Sequence, residues 1–519
     1  MVIFPFSFHH FYMMSITIFI SIILFYLIQR LRFKLPPGPK PWPIIGNLFG
    51  IRKGLFKSYN DWARTYGPII SIWLGSNLNV VVSNSELAKQ VLKEHDHVLA
   101  DRFRLKINNT SSNGQDLIWA DYGPHYVKVR KMCTLELFSA KKIEGLRPVR
   151  EDEVSAMVDS IYKHFSNNCD DKLGSVIVLR KYLGGVSLNT ITRIVLGKRF
   201  VDSKGDLDEL GQEFKAIVAG GRNLVRMSFM DEYIPLLRWL SPSRDHKFKK
   251  HRDRVNRLTE QIMEEHTKAR LESGEDKEHF VDALLSLKDH YELSNETVVG
   301  LLWNLIIAGT DTTAIMVEWA MAELLRNTRV LQKAQEELDQ VIGLDRVMTE
   351  NDISALPYLQ AIVKEALRLH PAAPLLMPHK ARTHVKIGGY DIPKGTTIHV
   401  NAWAIGRDAD NWPNPLQFRP ERFLESDIDF KGSDFRLLPF GAGRRVCIGA
   451  QVGVKLITTM LGRLLHQFNW CLPEGVKAKD INMLENDSVF VTYMDTPLRV
   501  QPIPRLPPHL YKWIPYEVA

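Results

Sequence analysis

Apolar side chains recur along most of the chain after residue 40 with a period of about 3.6 residues, which marks one face of a helix. This pattern predicts helices over 85–94, 124–137, 152–165, 249–273, 294–326, 329–342, 356–369 and 451–467. Short β-branched runs predict strands over 69–74, 79–82, 385–387 and 396–400. The chain is therefore expected to be mainly α with small β-sheets.

The predicted helix 294–326 is long and is irregular near its middle. Ser294 is a suitable N-cap for it. Residues 308–313 read Ala-Gly-Thr-Asp-Thr-Thr, so weak helix formers lie side by side. A tolerated weak spot in a buried helix would give this pattern, and so would a functional site, where local rules are often broken.

The N-terminus carries an uncharged apolar run over 11–28, FYMMSITIFISIILFYLI, which is near the minimum length of a membrane-spanning helix. Arg30, Arg32 and Lys34 follow it, and no Lys or Arg precedes it. The positive-inside rule then places the start of the chain in the lumen and the rest in the cytosol. A cleaved signal peptide is the alternative, but its charges would precede the apolar run and a small-residue cleavage site would follow.

The chain divides into three parts by composition. Residues 1–34 are expected to form a luminal tip, a transmembrane anchor and a basic flank. Residues 35–48, which begin LPPGPKPWP, are expected to form a semi-rigid proline-rich hinge. Residues 49–519 contain neither a repeat nor a linker, so we expect one catalytic domain there, although length alone allows more.

Charge and cysteine content exclude several classes of protein. The net charge is +8 and the pI about 9.1, but Lys and Arg are dispersed, which argues against nucleic-acid binding. A basic docking face for an acidic protein or for anionic lipid fits better. The four cysteines are widely spaced, which disfavours disulfides and structural zinc and favours a reducing compartment.

The segment 439–449, PFGAGRRVCIG, carries the most specific chemistry. Gly441 and Gly443 allow a tight bend close to a flat ligand. Backbone N–H groups of such a loop, and the start of the helix that follows, stabilise a thiolate at Cys447. Arg445 is placed to meet a carboxylate of the same ligand. The alternative is an inert cysteine in a glycine-rich turn.

This segment resembles the haem-binding signature of the cytochrome P450 superfamily, in which a cysteine thiolate holds haem iron. Further motifs of that superfamily lie in the expected order: a proline hinge at 36–39, an oxygen-activation motif at 308–313, EALR at 365–368 and PERF at 420–423. The resemblance implies a cytochrome P450 fold behind a single N-terminal transmembrane helix. It also implies haem b as cofactor, with the iron axially ligated by Cys447.

The resemblance assigns further residues around the cofactor. Glu365, Arg368 and Arg422 are expected to form a salt-bridged triad behind the haem that locks the cysteine loop. On residue spacing alone, Glu365 and Arg368 would be a surface ion pair of little value.

The haem propionates are expected to bind Arg130, His379 and Arg445. Tyr126 shares a helix face with Arg130, where many members carry Trp, and is expected to hydrogen-bond a propionate. Phe440 is expected to shield the sulfur. An ordinary loop histidine is the alternative for His379.

On the distal side of the haem, the resemblance implies three roles in the helix 294–326. Gly309 would let O2 approach the helix axis. Thr312 would donate a hydrogen bond there, and Asp311 would relay protons.

Electrons must come from another protein, because no GxGxxG follows a strand. The resemblance implies NADPH–cytochrome P450 reductase in the endoplasmic reticulum membrane, so NADPH is used indirectly. The expected docking cations are Lys128, Lys131, Lys141, Lys142 and Arg444. Each of them is alternatively an ordinary solvated charge.

The body is most similar to the plant p-coumaroyl ester 3-hydroxylases of phenylpropanoid metabolism, for example over 116–139, 278–287, 317–324, 388–395 and 505–512. This implies hydroxylation of a coumaroyl ring to caffeoyl on a shikimate or quinate ester, with O2.

The sequence departs from that family over 105–115, 375–377 and 485–490, where substrate is expected. A coumaroyl amide, a hydroxyphenyllactate ester, another ring position and neutral drift therefore stay open. So do three other classes: a haem-thiolate isomerase or dehydratase, a membrane-tethered haem sensor or scaffold, and a binding protein without haem.

Overall fold

The structure is a computed structural model that describes residues 32–104, 114–168, 175–202, 207–234, 244–273, 279–487 and 490–516, together with Met13, Thr17 and Ser21. The predicted anchor over 11–28 lies outside the described residues except at those three positions. Most of the divergent loop 105–115 also lies outside them.

Helices dominate the described residues, as predicted. They are α1 (Leu55–Tyr66), α2 (Ser85–Lys89), α3 (Asp96–Leu99), α4 (Pro124–Met132), α5 (Ala140–Gly145), α6 (Arg147–Asn167), α7 (Leu179–Leu196), α8 (Glu209–Tyr233), α9 (Arg244–Ser273), α10 (Phe280–Leu287), α11 (Asn295–Arg326), α12 (Thr328–Ile342), α13 (Pro357–Leu369), α14 (Ala402–Ile405) and α15 (Ala450–Gln467). The helices α2 and α4 each continue into a π-helical turn, Gln90–Glu94 and Cys133–Leu137.

The strands form small sheets. They are β1 (Ile69–Leu74), β2 (Asn77–Val82), β3 (Asp101–Arg102), β4 (Ile177–Val178), β5 (His379–Lys380), β6 (Val385–Ile387), β7 (Tyr390–Ile392), β8 (Thr397–Val400), β9 (Phe468–Cys471), β10 (Glu485–Asp487), β11 (Thr492–Met494) and β12 (Arg499–Pro504). The largest sheet has the order β1-β2-β8-β5-β3, with β2 and β8 parallel. This sheet places Arg102 of β3 opposite His379 of β5.

The predicted helices and strands are confirmed within a few residues, with differences at their ends. The helix predicted over 152–165 begins earlier, at Arg147, and the one predicted over 249–273 begins at Arg244. The pattern did not predict α1, α7, α8 and α10. Paired glycines inside α7 and α8, at 184–185 and 220–221, lower helix propensity and weaken the signal.

The long helix α11 is the centre of the core. Its residues from Thr313 to Leu325 are buried, and so are most of those before Ile307. Among the described residues it is the one helix long and apolar enough to cross a membrane, but 67% of its apolar window is buried inside the protein. The oxygen of Ser294 accepts from the Thr297 N–H at 3.2 Å, so the predicted N-cap is confirmed.

The described part of the proline-rich segment lies against the catalytic body. The Ser71 N–H and hydroxyl donate to the carbonyls of Pro37 and Pro36, at 2.9 and 2.7 Å. An added Cβ at Gly38 would lie 2.0 Å from the Ser71 carbonyl oxygen, so glycine is required for this close approach. These contacts fix the proline-rich segment alongside β1.

Candidate haem site

A cavity of about 1510 Å³ separates α11 from the loop that carries Cys447. Ordinary small-molecule sites measure roughly 300–1,000 Å³, so this cavity has room for a cofactor and a substrate together. Residues 307–312 are the longest stretch of α11 that is not buried, and Ile307 is 53% exposed because it faces the cavity. The weak helix formers predicted to mark a functional site therefore lie in the cavity wall, on a helix that stays continuous.

The cysteine loop folds back on itself through local geometry. The Cys447 N–H donates to the Phe440 carbonyl at 2.9 Å. Gly441 and Gly443 both have a φ of +68°, where a side chain is strained. A Cβ at Gly443 would lie 1.9 Å from the Leu92 carbonyl oxygen, so the loop packs directly on the backbone after α2.

Contacts from distant parts of the chain hold this loop. Arg444 donates to Asp96 of α3 at 3.0 Å, and its carbonyl accepts from the Tyr126 hydroxyl at 2.8 Å. Arg130 donates to the Val446 carbonyl at 2.7 Å. The loop backbone is therefore fixed on both sides of Arg445.

The sulfur of Cys447 faces the cavity, which is why this residue is exposed although protein surrounds it. Burial raises the pKa of its thiol, whereas a hydrogen bond from the Gly449 N–H and the charge of Arg130 lower it. Of the cysteines in the described ranges, Cys133 is buried away from the cavity, with a pKa raised to about 12 by burial. Cys471 is exposed on β9, so Cys447 is the one described cysteine that lines the cavity.

Arginines converge on the cavity beside this loop. Arg102 donates to the carbonyls of Ile118, Met377 and Pro378, and Arg445 donates to those of Ala100, Leu117 and Ala120. Burial and the neighbouring Arg445 lower the pKa of Arg102 to about 9. Burial also lowers the pKa of Arg445. Buried cations that bond to carbonyls and repel one another form a site for an anion.

This arrangement fits the carboxylates of a haem, and it includes a residue that sequence reasoning missed. Arg130 and Arg445 lie in the cavity wall as expected, and Arg102 joins them. Arg102 and Arg104 lie two residues apart in the sequence, and no local pattern showed that Arg102 rather than Arg104 would face the cavity. The distinction comes from β3, which directs Arg102 to carbonyls 275 residues away.

Tyr126 and His379 both line the cavity, and each makes a hydrogen bond to a backbone carbonyl. The Tyr126 hydroxyl donates to the Arg444 carbonyl, and its ring lies under the Arg445 guanidinium at 3.8 Å. Tyr126 therefore orients the arginine, and its expected hydrogen bond to a propionate stays a prediction. His379 Nδ1 donates to the Leu99 carbonyl at 2.8 Å. Burial and the charge of Arg102 hold the pKa of His379 well below its usual value, which favours the neutral ring.

Gly309, Asp311 and Thr312 lie together in the distal wall. The Thr312 hydroxyl donates to the Ala308 carbonyl at 2.8 Å and is free to rotate toward the cavity. A Cβ at Gly309 would lie 2.8 Å from Ile191 of α7. Glycine at 309 is therefore also required for packing, because α7 crosses α11 at this position and leaves no room for a side chain.

Glu365, Arg368 and Arg422 meet in a buried cluster away from the cavity. Arg368 donates to both Glu365 oxygens at 2.7 and 2.8 Å, and Arg422 donates to Oε1 at 3.1 Å. The remaining guanidinium bonds of the two arginines go to carbonyls of Gly406, Pro413, Pro415 and Gln417. The expected triad is thus assembled, and its direct backbone contacts hold the segment 406–417.

Two of the segments that depart from the expected family, 375–377 and 485–490, contribute residues to the cavity wall, whereas most of 105–115 lies outside the described residues. Leu376 and Met377 line the cavity, and so do Asn486 and Phe490. Leu376 has a positive φ of 53°, which turns its side chain into the cavity wall. The Phe490 ring packs against Trp119 with centroids 5.5 Å apart.

A cavity-facing cysteine beside arginines that form no ion pair with another described residue is what a flat, dianionic, sulfur-ligated cofactor requires, and this defines a haem-thiolate protein. The chain belongs to the cytochrome P450 family: the family model described as "Cytochrome P450" matches residues 36–495. It is a cytochrome P450 monooxygenase, with haem whose iron is held by cysteine and with electrons from NADPH delivered through a reductase.

Individual relatives agree with this family. The chain is 62% identical to "Cytochrome P450 98A2" of Glycine max over 95% of this chain and 96% of that protein. It is 39% identical to "Flavonoid 3'-monooxygenase" of Petunia hybrida over 95% and 98%. A solved zebra fish cytochrome P450 with progesterone superposes with a TM-score of 0.70 and 25% identity, over 87% of this chain and 99% of that chain.

Proposed function

We propose that the chain hydroxylates the ring of p-coumaroyl esters next to the phenol, giving caffeoyl esters of shikimate or quinate in phenylpropanoid metabolism. The aromatic C–H becomes C–OH with one oxygen atom of O2, and the other atom leaves as water with two electrons from NADPH and two protons. The bound haem supplies the activation of O2. The similarity to the 98A protein over nearly the whole chain supports this substrate class, and the flavonoid relative supports a phenolic one.

The observation that carries the proposal is the cavity with Cys447 on one wall and Asp311 and Thr312 on another. In it Cys447 would ligate the iron, and Arg102, Arg130 and Arg445 would neutralise the propionates, with His379 beside them in the wall. Tyr126 orients Arg445, and Phe440 covers the sulfur beside the cavity. Gly309 belongs to the distal wall, where the Thr312 hydroxyl would donate a hydrogen bond to bound O2 and Asp311 would supply protons.

The triad Glu365, Arg368 and Arg422 acts at a distance by rigidifying the body that supports the cofactor. Its buried bonds to the segment 406–417 are the contacts that support this role. Removing one member of the triad would leave a buried charge without a counter-charge, which is strongly unfavourable.

We propose a division into residues 1–34 as luminal tip, anchor and basic flank, 35–48 as hinge, and 49–519 as catalytic domain. The protein is then a single-pass protein of the endoplasmic reticulum with its catalytic domain in the cytosol. The uncharged run over 11–28 supports this topology. Trp42 and Phe49, which are 69% and 73% exposed just after the basic flank, support contact with lipid.

NADPH–cytochrome P450 reductase is the proposed electron donor. Lys131 and Lys141 are exposed on the side of α4 and α5, as a docking face for an acidic protein requires. Arg444 contributes less to such a face, because Asp96 already pairs with it at 3.0 Å.

The test uses microsomes that contain the full chain and the reductase, with NADPH and a panel of coumaroyl conjugates. The panel holds the shikimate, quinate and hydroxyphenyllactate esters and a coumaroyl amide. We expect caffeoyl shikimate or quinate that depends on NADPH and contains one atom from labelled O2. Turnover of the amide alone would contradict the ester assignment, and no product from any conjugate would favour a haem sensor or scaffold. A product formed without O2 would favour an isomerase or dehydratase.

The second candidate is a monooxygenase for a different phenolic conjugate, a coumaroyl amide or a hydroxyphenyllactate ester. The divergent residues in the cavity wall favour it, because Leu376, Met377, Asn486 and Phe490 reshape the space for the acyl acceptor. The same panel separates the two candidates.

A further inference from the structure

A cation reaches the distal side of the cavity from α8. The Arg222 Nη1 lies 3.0 Å from the Asp311 Oδ2, so an ion pair joins α8 to the proton-relay position of α11. Both residues line the cavity. Among the arginines and lysines in the described wall, Arg222 is the one outside the group at the propionate position, formed by Arg102, Arg130 and Arg445.

The pair is arranged so that it exchanges easily. The side chains are 62% and 44% exposed, and such exposed pairs contribute little net free energy. The triad pair Arg368–Glu365, in contrast, is fully buried. A ligand that enters the cavity can therefore displace Asp311 from Arg222 at small cost.

The other titratable residues near Arg222 in the described wall leave its charge available to a ligand. Gly221 precedes it in the wall, and a Cβ there would lie 3.3 Å from the His251 Nε2, so α8 packs closely on α9 at this point. Burial and the charge of Arg254 lower the pKa of His251, so that ring is neutral. Asp116, the other acidic residue of the wall, accepts from the Trp119 N–H at 2.6 Å and is committed to its own loop.

We propose that Arg222 binds a carboxylate of the substrate, which takes the place of Asp311, and that this exchange frees Asp311 for proton transfer. The inference rests on the proposed function and narrows it to acyl acceptors with a free acid. Shikimate, quinate and hydroxyphenyllactate esters carry such a carboxylate. Amides of polyamines carry positive charge instead, and Arg222 repels them.

The test compares p-coumaroyl shikimate with its carboxyl methyl ester, in microsomes that contain the full chain and the reductase. The two ligands differ by one methyl group, which removes the negative charge of the acceptor. Binding is followed by the substrate-induced change of the haem absorption spectrum, and turnover by kcat/KM. The variants are Arg222→Met, Arg222→Lys and Lys215→Met, the last of which removes an exposed charge from the same helix outside the cavity wall.

The bound substrate excludes water from this part of the cavity, so its hydrogen bond to Arg222 is stronger than the exposed pair that it replaces. The wild-type protein therefore prefers the acid by roughly 10-fold in both measurements. Arg222→Met removes most of this preference, Arg222→Lys retains part of it, and Lys215→Met retains all of it. The acid also lowers the hydrogen peroxide released per NADPH relative to the methyl ester in the wild type, and this difference disappears in Arg222→Met.

Equal binding of acid and methyl ester by the wild type would overturn the inference, and so would an unchanged preference in Arg222→Met. Caffeoyl product from both esters in those cases would leave the proposed function standing. If neither ester bound nor reacted, the proposed function and the inference would both be wrong.

Discussion

Arg368 donates one hydrogen bond to each carboxylate oxygen of Glu365, at 2.7 and 2.8 Å, and both side chains are fully buried. A bidentate pair of this kind fixes the relative position of its partners. Since Arg422 shares the same carboxylate, removal of Glu365 leaves two buried guanidinium groups without a counter-charge.

Glu365→Gln is therefore expected to destabilise the fold by about 3–5 kcal/mol and to reduce haem incorporation. Thermal unfolding and the reduced-CO spectrum measure the two effects. Glu336→Gln, which removes an exposed carboxylate from α12, should change stability by less than about 0.5 kcal/mol. Equal effects of the two variants would contradict the structural role of the triad.

Cys447→Ser should abolish the reduced-CO spectrum typical of thiolate ligation, together with turnover, because no thiolate then faces the cavity. Cys471→Ser is the matched control, since Cys471 is exposed on β9 and should tolerate the change. A Cys447→Ser protein with an unaltered spectrum would refute the ligand assignment.

Arg102→Met should weaken cofactor retention by roughly 10- to 100-fold, the value of one charge-assisted hydrogen bond. The rate at which an apo-globin extracts the haem measures this loss. Arg102→Lys keeps the charge but loses the planar fork, so its rate should lie between those of the wild type and the Met variant. If apo-globin extracted haem from Arg102→Met at the wild-type rate, Arg102 would not be a haem-binding residue.

Thr312→Ala should increase the hydrogen peroxide released per NADPH while haem binding persists, because the distal hydroxyl is lost and the cofactor contacts are not. Oxidation of NADPH, peroxide and product are measured together. Thr267→Ala removes a threonine with the same bond to the carbonyl four residues earlier, on exposed α9, and should leave coupling unchanged. Unchanged coupling in Thr312→Ala would contradict its role.

His399 gives the fold a pH dependence of known sign. Burial lowers its pKa from 6.5 to about 4. As pH falls below 6.5 the unfolded chain binds a proton that the folded chain does not, so stability is lost between pH 6.5 and 4 and then levels off. The contribution over this window is about 3 kcal/mol, since one pKa unit corresponds to about 1.4 kcal/mol.

His399→Gln retains a donor for Asn79 Oδ1, which lies 3.1 Å from Nε2, and should flatten the dependence of Tm on pH across that window. His246→Gln, at an exposed position, should leave the dependence as in the wild type. A parallel fall of Tm in His399→Gln and wild type would contradict the prediction.

Local motifs predicted much of the site, because their residues lie close together in the chain. The loop around Cys447, the Glu365–Arg368 pair on one helical turn and the exposed 307–312 segment of α11 belong to this group. Arg102 and Arg222 were missed for a different reason. Each is placed in the cavity wall beside an element far away in the sequence, β5 for Arg102 and α11 for Arg222.

The partners of individual hydrogen bonds could not be predicted from the sequence either. Helical spacing placed Tyr126 and Arg130 on one face, but it could not show that the Tyr126 hydroxyl would meet the Arg444 carbonyl. Likewise, a cluster of weak helix formers indicated a special segment in α11 without showing that Gly309 makes room for Ile191.

The hydrogen bonds that join the cysteine loop to distant parts of the chain have a consequence for biogenesis. Arg445 bonds to a carbonyl 345 residues earlier, and Tyr126 to one 318 residues later. The segment near residues 100–130 thus leaves the ribosome early in synthesis, and the cysteine loop leaves it late. A nascent chain cannot capture its prosthetic group until nearly all of it has been translated, and the early segment must wait in a form that neither aggregates nor is degraded.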